Sequence, residues 1–413
     1  MQRKRHKPDV TRRAVLKAGA RGALGGIIAP ALWGKEAPIE EKKRNIYELL
    51  GVKPLINAAG TTTVIGGSIM PGDVVAAWTE ASRSYVDLIE LQDRIGERIA
   101  ELLGVEAALV TTGATGSILV GTAAAVTYRD PSLIPRLPLP PEMGVEVIFQ
   151  KAHRACYDQQ VATSGVKVVE VETLGDLESA IHDRTAMMMA YSLSEPDGKI
   201  RHREWLEVAR RRGVPTLIDA AADTPPLDAL SSYNRLGYDM VAFSGGKALR
   251  GPQDTGLLLG RKDLIDAAKL NTSPRCPTIG RGLKVSKEDM VAMWAAVDRF
   301  VHLDHEAEVR EWERRIEVIA HALEGMPTVT TERIVPPIAN RVPHVLIFWD
   351  EKRVRITPEQ VTEKLRAGDP SIRLARMHGT GDEGLLISVF MLQPGEEQIV
   401  ASRLRKALET NSK

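Results

Sequence analysis

Apolar residues along most of this chain fall into two patterns that take turns. Short continuous runs at 107–111, 145–149, 167–171, 186–191, 215–220, 240–243 and 256–259 read as buried strands. Stretches of helical spacing separate most of them, at 116–126, 176–181 and 203–212. Seven strands with interleaved helices imply a mostly parallel sheet covered on both faces. The link from Phe243 to Gly256 is too short for a helical crossover, which leaves the last strand free to run antiparallel.

Upstream, apolar residues recur at helical spacing from Val74 to Leu103, with Asp73 as the expected N-cap and Gly104 as the stop. Before that, Gly60, Gly66 and Gly67, with Pro54 and Pro71 on either side, predict an irregular arm. Downstream, two long helical patterns at 287–303 and 304–323 lead into strands near 329–334, 345–349, 372–375 and 385–390. These alternate with helices at 358–366 and 396–408. The expected organisation is a signal segment at 1–31, a linker and arm at 32–72, and a large α/β domain at 73–285. Connecting helices at 286–325 and a small C-terminal α+β domain at 326–413 complete it.

The net charge of +1 conceals an asymmetry. Residues 1–31 hold eight Lys or Arg against the single acid Asp9, so the rest of the chain is net acidic. An acidic body argues against nucleic-acid binding, which depends on neutralising phosphates. Within the basic segment, Thr11-Arg12-Arg13-Ala14-Val15-Leu16-Lys17 precedes a Gly/Ala-rich apolar stretch ending in Ala29-Pro30-Ala31. That order resembles a twin-arginine export signal with a small-residue cleavage site, and implies a periplasmic protein exported in folded form; the alternative is a basic arm on a cytoplasmic one. The stretch is too short and too interrupted for a strong membrane span. The two cysteines, Cys156 and Cys276, have neither metal-ligand spacing nor the numbers of a disulfide framework, and no metal site is expected.

Three groups stand at carboxyl ends of predicted strands, where open α/β sheets bind ligands. Thr112-Gly113-Ala114-Thr115-Gly116-Ser117 is a small-residue turn into a helix, whose unpaired N–H groups suit a phosphate. Asp219 ends a buried run, where a carboxylate needs a partner. Lys247 follows a strand and two glycines, and burial there would lower its pKa and free the amine as a nucleophile. A Walker loop is excluded, because Ala248 occupies the place of the magnesium-binding Ser or Thr.

The order glycine turn, Asp, Lys resembles the fold-type-I pyridoxal phosphate enzymes, which have the aspartate-aminotransferase-like fold. In detail it is similar to the selenocysteine synthase-like group that includes the D-glucosaminate-6-phosphate ammonia lyases. The residues carrying this are Leu55-Ile56-Asn57-Ala58-Ala59-Gly60-Thr61, Gly66-Gly67-Ser68, Glu97-Arg98-Ile99-Ala100-Glu101-Leu102 and Ile218-Asp219-Ala220-Ala221-Ala222. The most specific is the run from Phe243-Ser244-Gly245-Gly246-Lys247 to Gln253.

The resemblance implies pyridoxal 5'-phosphate held by Lys247 as a Schiff base, with Asp219 at the pyridinium nitrogen. Ser244 and the turn Gly113, Ala114, Thr115 and Gly116 would be phosphate ligands, and His153 would lie on the ring face. A substrate carboxylate needs a cation, for which Arg281, Arg373 and Arg376 are candidates. The expected activity is an α,β-eliminating ammonia lyase on a small amino acid or amino-sugar acid. The alternatives are a transferase, either an aminotransferase or L-seryl-tRNA(Sec) selenium transferase-like, and a non-catalytic binder. The fold's habit of building sites between subunits implies a homodimer or a multiple of one.

Overall fold

A computed structural model describes residues 45–375 and 384–409. The chain divides into two compact units, residues 1–53 and 54–413. In the first, the described part holds a single helical turn, Ile46–Leu49, capped by the Asn45 side chain accepting from the Tyr47 N–H.

The second unit opens with strand β1 (Leu55–Ala58), where the sequence predicted an irregular arm. The helical pattern upstream of Gly104 is two helices, Gly72–Ala81 and Leu88–Leu103. Asp73 lies inside the first turn of the former, and Pro71 stands at its N-cap. The break at 82–87 is set by Asp87, whose carboxylate accepts from the N–H groups of Ile89 and Glu90 and starts the second helix. Gly104 ends that helix at φ 64°, a left-handed conformation in which a Cβ is strained.

The strands that follow are β2 (Ala107–Thr111), β3 (Glu146–Gln150), β4 (Lys167–Val171), β5 (Thr185–Tyr191), β6 (Thr216–Asp219), β7 (Met240–Ser244) and β8 (Gly256–Gly260). They form one sheet in the order β2-β8-β7-β6-β5-β3-β4. All neighbours are parallel except β8, which runs antiparallel to both β2 and β7. Alternation along the strands divides the core. Val110, Ile148, Met188, Ile218, Val241 and Leu257 face one apolar layer. Leu109, Val147, Met187, Leu217, Met240 and Leu258 face the other. Two glycines let helices lie close to the sheet. A Cβ at Gly96 would stand 2.4 Å from the Ala108 carbonyl oxygen, and one at Gly121 would stand 2.4 Å from Leu217 Cδ1.

Beyond the long helices Lys287–His302 and His305–Leu323, strands β9 (Thr330–Ile334), β10 (His344–Phe348), β11 (Ser371–Leu374) and β12 (Leu385–Ser388) alternate with helices Pro358–Arg366 and Glu396–Glu409. The antiparallel order is β12-β10-β9, while β11 pairs in parallel with β1. Ile56 and Ala58 therefore sit in the same apolar cluster as Trp312, Ile347, Ile372 and Ile387. Among the described residues no helix is long and apolar enough to cross a membrane. The export-signal segment and Arg376 lie outside the described residues.

Candidate active site

The three groups read from the sequence share one edge of the sheet because of strand order. Thr111 at the end of β2 is in register with Gly256 at the start of β8, and Gly256 with Ser244 at the end of β7. Asp219 at the end of β6 pairs with Ala242 of β7, five residues before Lys247.

The turn after β2 packs directly on β8, since a Cβ at Gly256 would stand 2.3 Å from the Gly113 carbonyl carbon. Gly113 itself has φ 66°. The helix Gly113–Thr127 makes its first backbone bond from Gly116 N–H to Thr112 O at 3.1 Å. The N–H groups of Gly113, Ala114 and Thr115 thus take no partner among the described residues. The Thr112 hydroxyl is buried and also unpartnered. Four donors aimed into one turn at a helix N-terminus suit a phosphate. Ser244, half-buried, adds a hydroxyl with no hydrogen bond among the described residues.

Asp219 is 8% exposed, and one carboxylate oxygen accepts from the Ala221 N–H at 2.9 Å. Burial raises its pKa to about 6, against that hydrogen bond and the nearby Lys247 amine. Its second oxygen is left for a cation or a ring N–H. Lys247 is half-buried and makes no hydrogen bond among the described residues. Burial pushes its pKa down, while Asp219 and then Asp223 oppose the shift. The loop that carries it is tightly held. A Cβ at Gly246 would meet Gln253 Cα at 2.4 Å, and one at Gly67 would meet the Gly246 oxygen at 2.6 Å. Ser68 donates to that same oxygen at 2.9 Å. The Gly66-Gly67-Ser68 motif is therefore a clamp on the lysine loop.

His153 is 1% exposed. Its Nδ1 accepts from the Tyr191 N–H at 3.2 Å, and a Cβ on Gly198 would meet its Nε2 at 2.8 Å. Tyr191 is the register partner of Asp219, so His153, which follows β3, bonds to the strand beside the acid's with its ring closed in. Tyr157, four residues on, is 47% exposed. Burial, then Cys156 and Asp219, push its phenol up.

Of the cations, Arg281 is half-buried with no ion pair among the described residues. It follows Gly280, which packs on Val120 of the Gly113–Thr127 helix. Arg373 lies on β11 opposite Asn57, with its Nε buried and unpartnered.

Asp223, 5% exposed, was missed in the sequence although it follows Asp219 by four positions. Its oxygens accept from Ser192 Oγ at 3.0 Å and Tyr233 Oη at 2.5 Å. A second acid after a run of alanines was the available signal, but its partners come from distant elements.

Sheet order brings an unpartnered small-residue turn, a strand-end acid and a half-buried lysine to one edge, and the proteins that this chain resembles make it a pyridoxal-phosphate-dependent enzyme of fold type I. Residues 85–275 match the family described as aminotransferase class-V. The chain is 29% identical over 378 residues to a 5'-C-glycyluridine monooxygenase-decarboxylase of a Streptomyces species, covering 88% of this chain and 92% of that one. It is 27% identical over 383 residues to the D-glucosaminate-6-phosphate ammonia lyase of Salmonella typhimurium, covering 88% and 98%. A solved D-glucosaminate-6-phosphate ammonia lyase structure superposes with a TM-score of 0.77 at 25% identity, over 90% of this chain and all of that one. An L-seryl-tRNA(Sec) selenium transferase of Moorella thermoacetica is 27% identical over 411 residues, covering 87% and 82%. This protein is a pyridoxal phosphate enzyme whose sequence resembles the selenocysteine synthase-like and glucosaminate-6-phosphate ammonia lyase-like group.

Proposed function

We propose that the enzyme is an α,β-eliminating lyase that converts a small amino acid or amino-sugar acid to a keto acid and ammonia. The observation that carries this is the half-buried Lys247 amine, free of hydrogen bonds among the described residues, at the sheet edge that also bears Asp219 and the small-residue turn. Similarity to an ammonia lyase along nearly the whole of both chains supports the choice of reaction.

The residues fit the cofactor. The N–H groups of Gly113, Ala114 and Thr115, with the Thr112 and Ser244 hydroxyls, would take its phosphate. Asp219 would hold the proton on its ring nitrogen. Tyr157, rather than the enclosed His153, offers an open aromatic face. When bound, the cofactor supplies an electron sink for a carbanion beside the substrate amine. Lys247, with its pKa lowered, is the base that removes the Cα proton. Arg281 and Arg373, neither with an ion pair among the described residues, would take a substrate carboxylate.

Incubating the purified protein with a panel of hydroxy- and amino-acids tests the reading. Keto acid with equimolar ammonia is the expected result. Keto acid with pyridoxamine phosphate and no ammonia would instead establish an aminotransferase, and the absence of turnover a binder.

The enzyme we propose is a homodimer or a multiple of one, exported in folded form on the twin-arginine segment of residues 1–31. Exposed Val64, Ile69, Trp78, Tyr85, Val86 and Ile89 leave an apolar surface on the arm and first helices that supports self-association. Replacing Arg12 and Arg13 by Lys is expected to trap the protein in the cytoplasm, as read by cell fractionation.

A further inference from the structure

The loop that carries Lys247 lies on the seam between two apolar clusters. Phe243 and Leu249 are buried in the cluster on one face of the large sheet. Ala248, between the lysine and Leu249, is instead buried in the C-terminal cluster with Trp312, Ile347, Ile387 and Phe390. The lysine thus stands among residues held in two different cores, and its place depends on how the two are kept together. Within the loop, Arg250 N–H donates to Lys247 O at 3.0 Å, and Gly251 N–H donates to Gly245 O at 2.9 Å.

Arg250 is the strained member of this loop. Its φ is 56°, a left-handed conformation that glycine takes freely and an arginine only at a cost. What arginine adds over glycine is the guanidinium, and that group crosses the seam. Its Nη2 donates to Phe390 O at 3.5 Å, the one hydrogen bond of the Arg250 side chain among the described residues. The turn it reaches, just past β12, is itself fixed to the helix His305–Leu323. Arg315 on that helix donates from Nη1 to Val389 O at 3.2 Å and to Leu392 O at 2.6 Å. The Phe390 ring packs edge-on against Trp312 of the same helix, with centroids 5.1 Å apart. Three carbonyls of one turn are therefore taken by two arginines, one from the long helix and one from the lysine loop. Burial opposes the Arg250 charge, Glu308 favours it, and Arg299 and Arg315 oppose it.

We infer that Arg250 is a positioning residue for Lys247: its guanidinium ties the lysine loop to the turn 389–392, so that the amine stays at the sheet edge beside Asp219. This role rests on the reading of Lys247 as the amine that takes the cofactor, and not on the choice of reaction. Arg250 touches no reacting atom in it and acts through the backbone. The guanidinium anchors residue 250, and the hydrogen bond from Arg250 N–H to Lys247 O carries that anchor to the lysine. Strain that a glycine would relieve marks a conformation held for something other than stability. Displacing the amine by about 1 Å is enough to cost a reaction at that atom about 10²-fold in rate.

The test compares the full wild-type chain, freed of cofactor, with Arg250→Gly. Each is mixed with pyridoxal phosphate and quenched with sodium borohydride at timed intervals, and the adduct on Lys247 is measured by peptide mass spectrometry. In Arg250→Gly the rate at saturating pyridoxal phosphate is expected to fall by about tenfold or more. The half-saturating concentration, set by the phosphate turn, should change by less than about twofold. The urea midpoint should stand at or above that of wild type, because glycine relieves the strain at position 250. A wild-type rate in Arg250→Gly overturns the inference. So does a loss confined to the half-saturating concentration, and so does one accompanied by a lower urea midpoint, which would make the arginine merely structural. Should Arg250→Gly not fold, Arg250→Asn carries the same comparison, since asparagine also tolerates left-handed backbone. If Lys247 is not the cofactor's amine, wild type itself forms no adduct there, which overturns both readings and is distinct from a wild-type adduct that Arg250→Gly matches.

Discussion

Two buried side chains near the site give stability contributions of opposite sign with pH. The Asp219 carboxyl, raised by burial to about 6 from an ordinary 3.8, binds its proton more tightly in the folded chain. Its contribution is therefore complete below about pH 3.8 and is lost as pH rises through 6, leaving a cost of about 3 kcal/mol at neutral pH. Asp219→Asn is expected to raise the urea midpoint of the cofactor-free protein at pH 7 while abolishing turnover. An unchanged or lower midpoint would contradict this. His153 behaves in the reverse way. Burial first, then the charge of His202, lowers it from 6.5 to about 4, with Asp197 opposing. The unfolded chain takes up that proton first, so acidification from pH 6.5 to 4 removes about 3 kcal/mol. His153→Gln is expected to flatten that part of the urea-midpoint profile.

At the scale of elements, two helices approach the large sheet most closely at glycines, Gly96 and Gly121. Gly96→Ala puts a Cβ against the Ala108 carbonyl, a backbone atom that moves only with its strand. A loss of about 1–3 kcal/mol is expected in urea unfolding. Gly256→Ala pushes instead on Gly113, where the phosphate turn begins. Pyridoxal phosphate affinity, measured by fluorescence titration, should fall by about tenfold or more, which corresponds to at least about 1.4 kcal/mol. The inner strands of the large sheet were legible because both faces are buried and the runs are almost continuously apolar, whereas the part-exposed edge strand β4 was marked by Val168, Val169 and Val171. The break at 82–87 was not, because Tyr85 and Val86 continue the apolar pattern through a non-helical segment and only the Asp87 cap marks it. Strand β1 was equally hidden. Its partner β11 is more than three hundred residues away, and no local pattern records such a pairing.

At the scale of the molecule, the chain is similar along most of its length to relatives named as a monooxygenase-decarboxylase, an ammonia lyase and a selenium transferase. Relatives named for such different reactions mean that the reaction must follow from the residues around the site rather than from the fold. Quaternary structure bears on this if the apolar surface around Trp78 and Tyr85 is shared between copies. A Tyr85→Asp, Ile89→Asp double variant is expected to halve the mass seen by light scattering. Retention of the wild-type mass would place the interface elsewhere.

The sequence by itself determined the alternation of buried strands and helices, and with it the sheet. It also determined that an acid, a lysine and a small-residue turn end strands, since burial pattern and strand-end chemistry are local properties. Tertiary structure alone decided which groups meet. It brought Ser192 and Tyr233 onto Asp223, clamped Gly67 against the lysine loop, and enclosed His153 while leaving Tyr157 open. Those outcomes depend on contacts between residues far apart in the chain, whose geometry is fixed only when the strands take their order.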